Sequence, residues 1–363
     1  MTTASDARVG DERPPETARQ QLIGILIVAV AAAVLAVVIF IYRRDVPITG
    51  DGLRVINERL PLTIHTLLRP FHEHLNAVPI ALWSILPTTA EKLAAMLVAH
   101  VVLATATAAF LIARLGRLIG VALALPLALL GSAYYDLFVS WQILFMIPLA
   151  CGLVAIVASL PRERTWALRG LVVVFIGIAV GSSNVGLFLA CALGLWFLLE
   201  RRWTQILELV PVGVAWVAWF LVVFLHSRRD EAFKPSLMAL PYSVTAISSG
   251  IGGVTGLGVY GGLAIIAAAA AFVIWRRVTV PPALIAFGVT LVVMFGILSA
   301  FRSSGSLTQA QGSRYIYLTA FFLAFGVGIA APRLPRSRWW LVASLVATAI
   351  NVQILAHALP GYP

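Results

Sequence analysis

Charge is scarce in this chain, and lysine is scarcer still. Only 11% of the 363 residues are Asp, Glu, Lys or Arg, against roughly a quarter in a soluble domain. That deficit excludes an ordinary water-soluble globule. Lys92 and Lys234 are the two lysines among 26 basic residues, so arginine supplies nearly all of the +11 net charge. The arginines are scattered at the ends of apolar runs and form no single stripe. A nucleic-acid partner is therefore excluded, and these side chains read as ones that snorkel to lipid head groups. Cysteine is almost missing too. Cys151 and Cys191 both fall inside apolar runs. Both are expected to be small buried core residues, in no disulfide and on no metal.

What the chain has in excess is hydrocarbon. It is 61% hydrophobic, with mean hydropathy +0.97. Repeated apolar runs of about 20 residues mark transmembrane helices. Such runs lie near 21–42, 93–115, 118–134, 142–160, 166–181, 183–199, 204–226, 256–275, 281–300, 315–331 and 338–357. The expected fold is all-α, a polytopic transmembrane bundle of about 11 spans with a range of 9–12. The first run has no A-x-A-like cleavage site after it and is expected to be retained. Residues 1–20 read as a disordered cytoplasmic tail, and 21–363 as one transmembrane domain that includes an outside loop, 43–90. Long apolar stretches are expected to turn at Gly181-Ser182-Ser183-Asn184 and around Tyr134-Tyr135-Asp136. Residues 227–255 read as another outside loop.

Arginine sets the orientation. With the N-terminus in the cytoplasm, the inside loops are ARLGRL, PRERTWALR, ERRW, WRRV and PRLPRSR, which hold twelve arginines. This fits the positive-inside rule. It predicts a bacterial plasma membrane protein with the main loop outside and the C-terminus outside. No internal repeat is visible, which argues against an inverted-repeat transporter.

The polar chemistry is concentrated after the first span. Residues 43–79 hold twelve charged or imidazole side chains. Leu53, Ile56, Leu60, Ile64, Leu67 and Leu68 fall on one stripe at helical spacing, which predicts an interfacial helix. Asp51, between Gly50 and Gly52, opens it. Asp51 is either an N-cap or a general base that takes a proton from an acceptor hydroxyl. Arg54 follows on the polar side. His72, Glu73 and His74 come next, as substrate hydrogen-bonding groups or as plain loop polarity. His72-x-His74 would suit a divalent metal if extended. No third ligand stands at a fixed spacing, so no metal or other cofactor is expected.

Three further groups stand near span ends. Arg302, with Ser303, Ser304 and Gly305, and Arg314, with Ser313 and Tyr315, suit an anionic head group; the alternative is an aromatic belt with snorkelling. Asp136 is an outside carboxylate, either an assistant to Asp51 or a helix-end charge. His100, mid-span, reads as an interhelical hydrogen bond.

One span followed by a long outside loop, with an acidic residue on an interfacial helix, resembles the GT-C glycosyltransferases. The Pro70-Phe71-His72-Glu73-His74 segment and the Ser313-Arg314-Tyr315 element strengthen the likeness, which covers the layout and about 60 residues of short motifs. There is no Asp-Asp or Glu-Asp pair at the first-loop position, only single Asp51, and no soluble outer domain. The resemblance implies transfer, with inversion, of a sugar from a polyprenyl-phosphate donor to an envelope glycan, lipid or protein. Asp51 would be the base, and Arg54, His72, Glu73, His74, Asp136, Arg302, Arg314 and Tyr315 would bind substrate. The alternatives are a flippase for a lipid-linked sugar and a non-catalytic assembly subunit of the same layout.

Overall fold

The computed structural model describes residues 16–46, 62–70, 74–227, 237–301, 307–331 and 339–361. Every regular element among them is helical. Helix α1 (Ala18–Arg43) opens on a capping box, in which Thr17 and Gln20 each satisfy the other's backbone N–H. Two short helices, α2 (Ile64–Leu68) and α3 (Ala77–Ile85), follow. Helix α4 (Thr89–Leu115) has a second capping box, from Thr88 and Glu91. A tight turn at Gly116, with φ +86°, leads into α5 (Arg117–Ala128). Its close packing on α4 is set by Gly120, where a Cβ would stand 2.5 Å from the Ile112 Cα.

The chain then makes a corner. A 3₁₀ turn (Gly131–Ala133), α6 (Tyr134–Phe138) and a second 3₁₀ turn (Ser140–Gln142) lead to α7 (Ile143–Ser159). Helices α8 (Trp166–Ser182) and α9 (Asn184–Leu199) are separated by Ser183 alone. Helix α10 (Trp203–Trp219) runs on through a π-helical turn, Phe220–Phe224, to Ser227. After it come α11 (Ala239–Thr255), α12 (Gly258–Arg276), α13 (Pro282–Phe301), the short α14 (Leu307–Ala310), α15 (Ser313–Ala330) and α16 (Trp339–Gly361).

Nine helical segments among the described residues are long and apolar enough to cross a membrane. They include α1, α4, α12, α13 and α15, while α8 and α9 are apolar but shorter. The molecule is a helical membrane bundle. Its interior is made by α4, α7, α9, α13 and α15, whose buried faces share one apolar core. Large apolar side chains of α1, α10 and α12 stay exposed.

Two expectations are overturned. Residues 239–255 form a helix, α11, and not a loop. Its serines and glycines lower its hydropathy, yet Tyr242, Ser248, Ser249, Gly250, Gly252 and Gly253 are buried against neighbouring helices. Small residues serve there because they let backbones approach: a Cβ at Gly250 would stand 2.3 Å from Thr319 Cβ. Cys191 is exposed, because its face of α9 points outward. The turn expected around Tyr134-Tyr135-Asp136 is there, although these residues are themselves a short helix with the breaks on either side of it.

Candidate functional site

Asp51, Arg54, His72, Glu73 and Arg302 lie outside the described residues, as do Leu53, Ile56 and Leu60 of the interfacial stripe; Ile64, Leu67 and Leu68 lie in α2. His74, Asp136, Arg314 and Tyr315 are described. The structure places Asp136 within electrostatic reach of Arg314, sets Arg314 over the Tyr315 ring, and places His74 at a different contact.

Asp136 is positioned by the corner between α5 and α7. The corner can form because Gly131 lacks a side chain: a Cβ there would stand 1.9 Å from the Asn351 carbonyl oxygen. Ser132 donates its backbone N–H to Asn351 Oδ1 at 3.0 Å, and its hydroxyl reaches the Gly253 carbonyl at 2.9 Å. Asn351 in turn donates to the Val254 carbonyl at 2.9 Å. One polar knot thus fixes the 3₁₀ turn before α6 against α11 and α16.

The Asp136 side chain is fully buried, and neither carboxyl oxygen makes a hydrogen bond of good geometry. The groups that act on it are the Ser313 hydroxyl and the Arg314 charge, at the start of α15. It is therefore no solvated helix-end charge; α15 covers it. Gly312 caps α15 without a side-chain bond, and its carbonyl accepts from the Tyr315 N–H at 2.9 Å, so the start of this helix presents the positive end of its dipole. The Arg314 guanidinium carbon stands 5.3 Å from the centre of the Tyr315 ring. That ring is buried edge-on between Tyr242 and Phe295 at 6.1 and 5.4 Å.

Tyr317 and His100 complete the cluster. Tyr317 stands three residues after Arg314, on the same side of α15. Its oxygen lies 2.9 Å from His100 Nδ1, and His100 Nε2 lies 3.1 Å from the Ala128 carbonyl oxygen. A carbonyl only accepts, so Nε2 carries the proton and Nδ1 accepts from the Tyr317 hydroxyl. The role of Tyr317 was not legible beforehand; its spacing from Arg314 was the signal available.

His74 lies elsewhere. Its Nδ1 accepts from the Asn184 backbone N–H at 3.4 Å, at the break between α8 and α9. Asn184 stands at the rim of an apolar groove of about 650 Å³ between α9, α10 and α13. Phe188, Trp216, Phe220, Phe224 and Val293 help to line it. Phe220 stacks on both Trp216 and Phe224, with centroids at 5.2 and 4.9 Å. The segment between α1 and α3 is tied to this region: Trp219 Nε1 donates to the Leu68 carbonyl at 2.7 Å.

Among the described residues, no three His, Cys, Asp or Glu side chains converge on a metal position. Comparison with family models, with curated proteins and with solved structures gives no match.

Proposed function

We propose that this protein is a glycosyltransferase of the bacterial plasma membrane. It moves a sugar from a polyprenyl-phosphate donor to an acceptor outside the cell, with inversion. The observation that carries this reading is the grouping of Asp136, Ser313 and Arg314 at the start of α15. It offers a guanidinium, a hydroxyl and the positive end of a helix, which together suit a phosphate. The apolar groove beneath the first loop suits a prenyl chain, since ligand sites of this volume bury mostly apolar surface.

In this reading Asp51 takes the proton of the acceptor hydroxyl. The acceptor oxygen attacks the anomeric carbon opposite the phosphate, and the carbon–oxygen bond to phosphate breaks. The leaving polyprenyl phosphate keeps the electron pair, and Arg314 and Arg302 stabilise its growing charge. Arg54, His72, Glu73, His74 and Tyr315 hold the sugar and shape the site.

The test uses the full chain in proteoliposomes with labelled polyprenyl-phosphate hexose or pentose and an envelope extract as acceptor. Donor is consumed by the wild type and spared by Arg314→Gln. No consumption with either sugar class, together with polyprenyl-phosphate binding that ignores Arg314→Gln, would sink the reading. One observation favours a second reading. A carboxyl buried among spans marks transport pathways, and Asp136 is such a group. A lipid-linked-sugar flippase would move labelled donor between leaflets without cleaving it.

A further inference from the structure

At the opposite end of α8 and α9 from the His74–Asn184 contact, the short α7–α8 and α9–α10 connections form a second polar corner. Within residues 162–208 it gathers Arg162, Arg164, Arg169, Arg201 and Arg202 against Glu163, Glu200 and Glu208. Cations exceed anions, and the ion pairs do not use them all. Glu200 is taken by Arg202 at 2.7 Å. Arg202 is further committed to the Ser159 and Leu160 carbonyls and to the Trp196 ring, so it is a structural staple. Glu208 is left to serve two arginines, Arg164 at 2.7 Å and Arg169 at 3.8 Å.

Arg164 is the unusual member. Its side chain is 2% exposed, and its Nη1 is buried without an acceptor. Burial holds this guanidinium below its ordinary pKa; Glu208 opposes the shift, and the neighbouring Arg169 and Arg202 add to it. Glu208 Oε2 is likewise buried without a donor, but this one carboxylate faces both Arg164 and Arg169, so the buried cation is short of negative charge. Arg169, 40% exposed, stands next to it with its guanidinium 5.0 Å from the Trp166 ring.

The surroundings say where the missing anion comes from. Trp166 and Trp203 are 84% and 60% exposed at the starts of α8 and α10. Exposed tryptophans at span ends sit at the head-group level. Below them the α8 and α10 faces are apolar and uncovered, with Leu171, Val174, Leu207 and Val210 exposed. A Cβ at Gly170 or Gly213 would meet nothing within 4 Å, which leaves open space beside these side chains.

We propose that this corner binds the phosphate of an anionic phospholipid. The phosphate sits on Arg169 beside Arg164, Arg162 and Arg201 supply the surrounding field, and the acyl chains lie on the exposed faces of α8 and α10. Basic pockets of this kind between spans bind acidic lipid head groups.

The test is native mass spectrometry of the full chain in an equal mixture of phosphatidylglycerol and phosphatidylcholine. The wild type retains phosphatidylglycerol preferentially. Arg162→Gln with Arg169→Gln lowers that preference, by about fivefold for each arginine removed. A control with the same charge loss elsewhere, Arg19→Gln with Arg276→Gln, keeps it. If the double variant is poorly produced, Arg162→Gln alone, on an exposed side chain, shows the same direction. Equal retention of both lipids by the wild type overturns the proposal. So does a preference that survives in the double variant or falls equally in the control. Displacement of the lipid by millimolar inorganic phosphate makes this a small-anion site and overturns the lipid assignment.

Discussion

The Tyr317 hydroxyl donates to His100 Nδ1 across 2.9 Å, and this bond joins α15 to α4 in the interior of the bundle. Both residues are fully buried. Hydrogen bonds between membrane helices measured by double-mutant cycles average about 0.6 kcal/mol and reach about 1.7. A cycle of Tyr317→Phe and His100→Phe, followed by unfolding in detergent, is expected to give a coupling energy in that range. Additive effects of the two substitutions would mean that the bond holds nothing.

Asp136→Asn separates charge from shape. The buried carboxyl has no hydrogen bond of good geometry to lose, and a neutral amide avoids the cost of burying charge. The variant is expected to unfold no more easily than the wild type while its turnover of polyprenyl-phosphate sugar falls. A thermal-unfolding curve and a donor-consumption assay read the two effects. Marked destabilisation would show that the carboxylate is a structural partner of Arg314 first.

Gly120→Ala tests the α4–α5 hairpin. The new methyl would press on the Ile112 backbone at 2.5 Å, which cannot swing aside as a side chain would. Overpacking of this kind costs about 1–3 kcal/mol. Gly170→Ala, where no atom lies within 4 Å, is the matched control. It is expected to be neutral or slightly stabilising in the same unfolding assay.

The Asp51→Asn variant bears on the mechanism. Asn caps a helix about as well as Asp, so folding and donor binding are expected to persist. Loss of a general base lowers the rate by about 10²–10⁴-fold. Full transfer activity in this variant, at matched protein levels, would remove Asp51 from the chemistry.

How far the chain could be read depended on what each segment packs against. Helices with a widely exposed face carry long apolar runs, so α1, α10 and α12 were visible in hydropathy alone. The turn at Ser183 was visible because small polar residues interrupt α8 and α9. Helix α11 was hidden because it packs against protein, and glycine and serine at Gly250, Gly253 and Ser248 look like loop residues. Arg314 and Tyr315 were singled out from charge at a span end, yet nothing local told that Asp136 lies under them. That contact joins residues far apart in the chain and is set by the corner at Gly131. Cys191 shows the same limit: an apolar run reveals that a helix is in the membrane, not which of its faces is covered.

The π-helical turn at Phe220–Phe224 works as an angular offset. In an α-helix each residue advances the direction of its side chain by about 100°. A wider turn resets that count, so the two ends of α10 are not in one α-helical phase. Trp219 is then free to hold the Leu68 carbonyl while Phe220 and Phe224 stack beside Trp216 along the groove. Removing one residue from this turn would restore a regular helix and rotate one end of α10 against the other. The Leu68 contact and the apolar groove would fall out of phase. In that sense a single residue of extra length keys the water-facing part of this protein to its lipid-facing part.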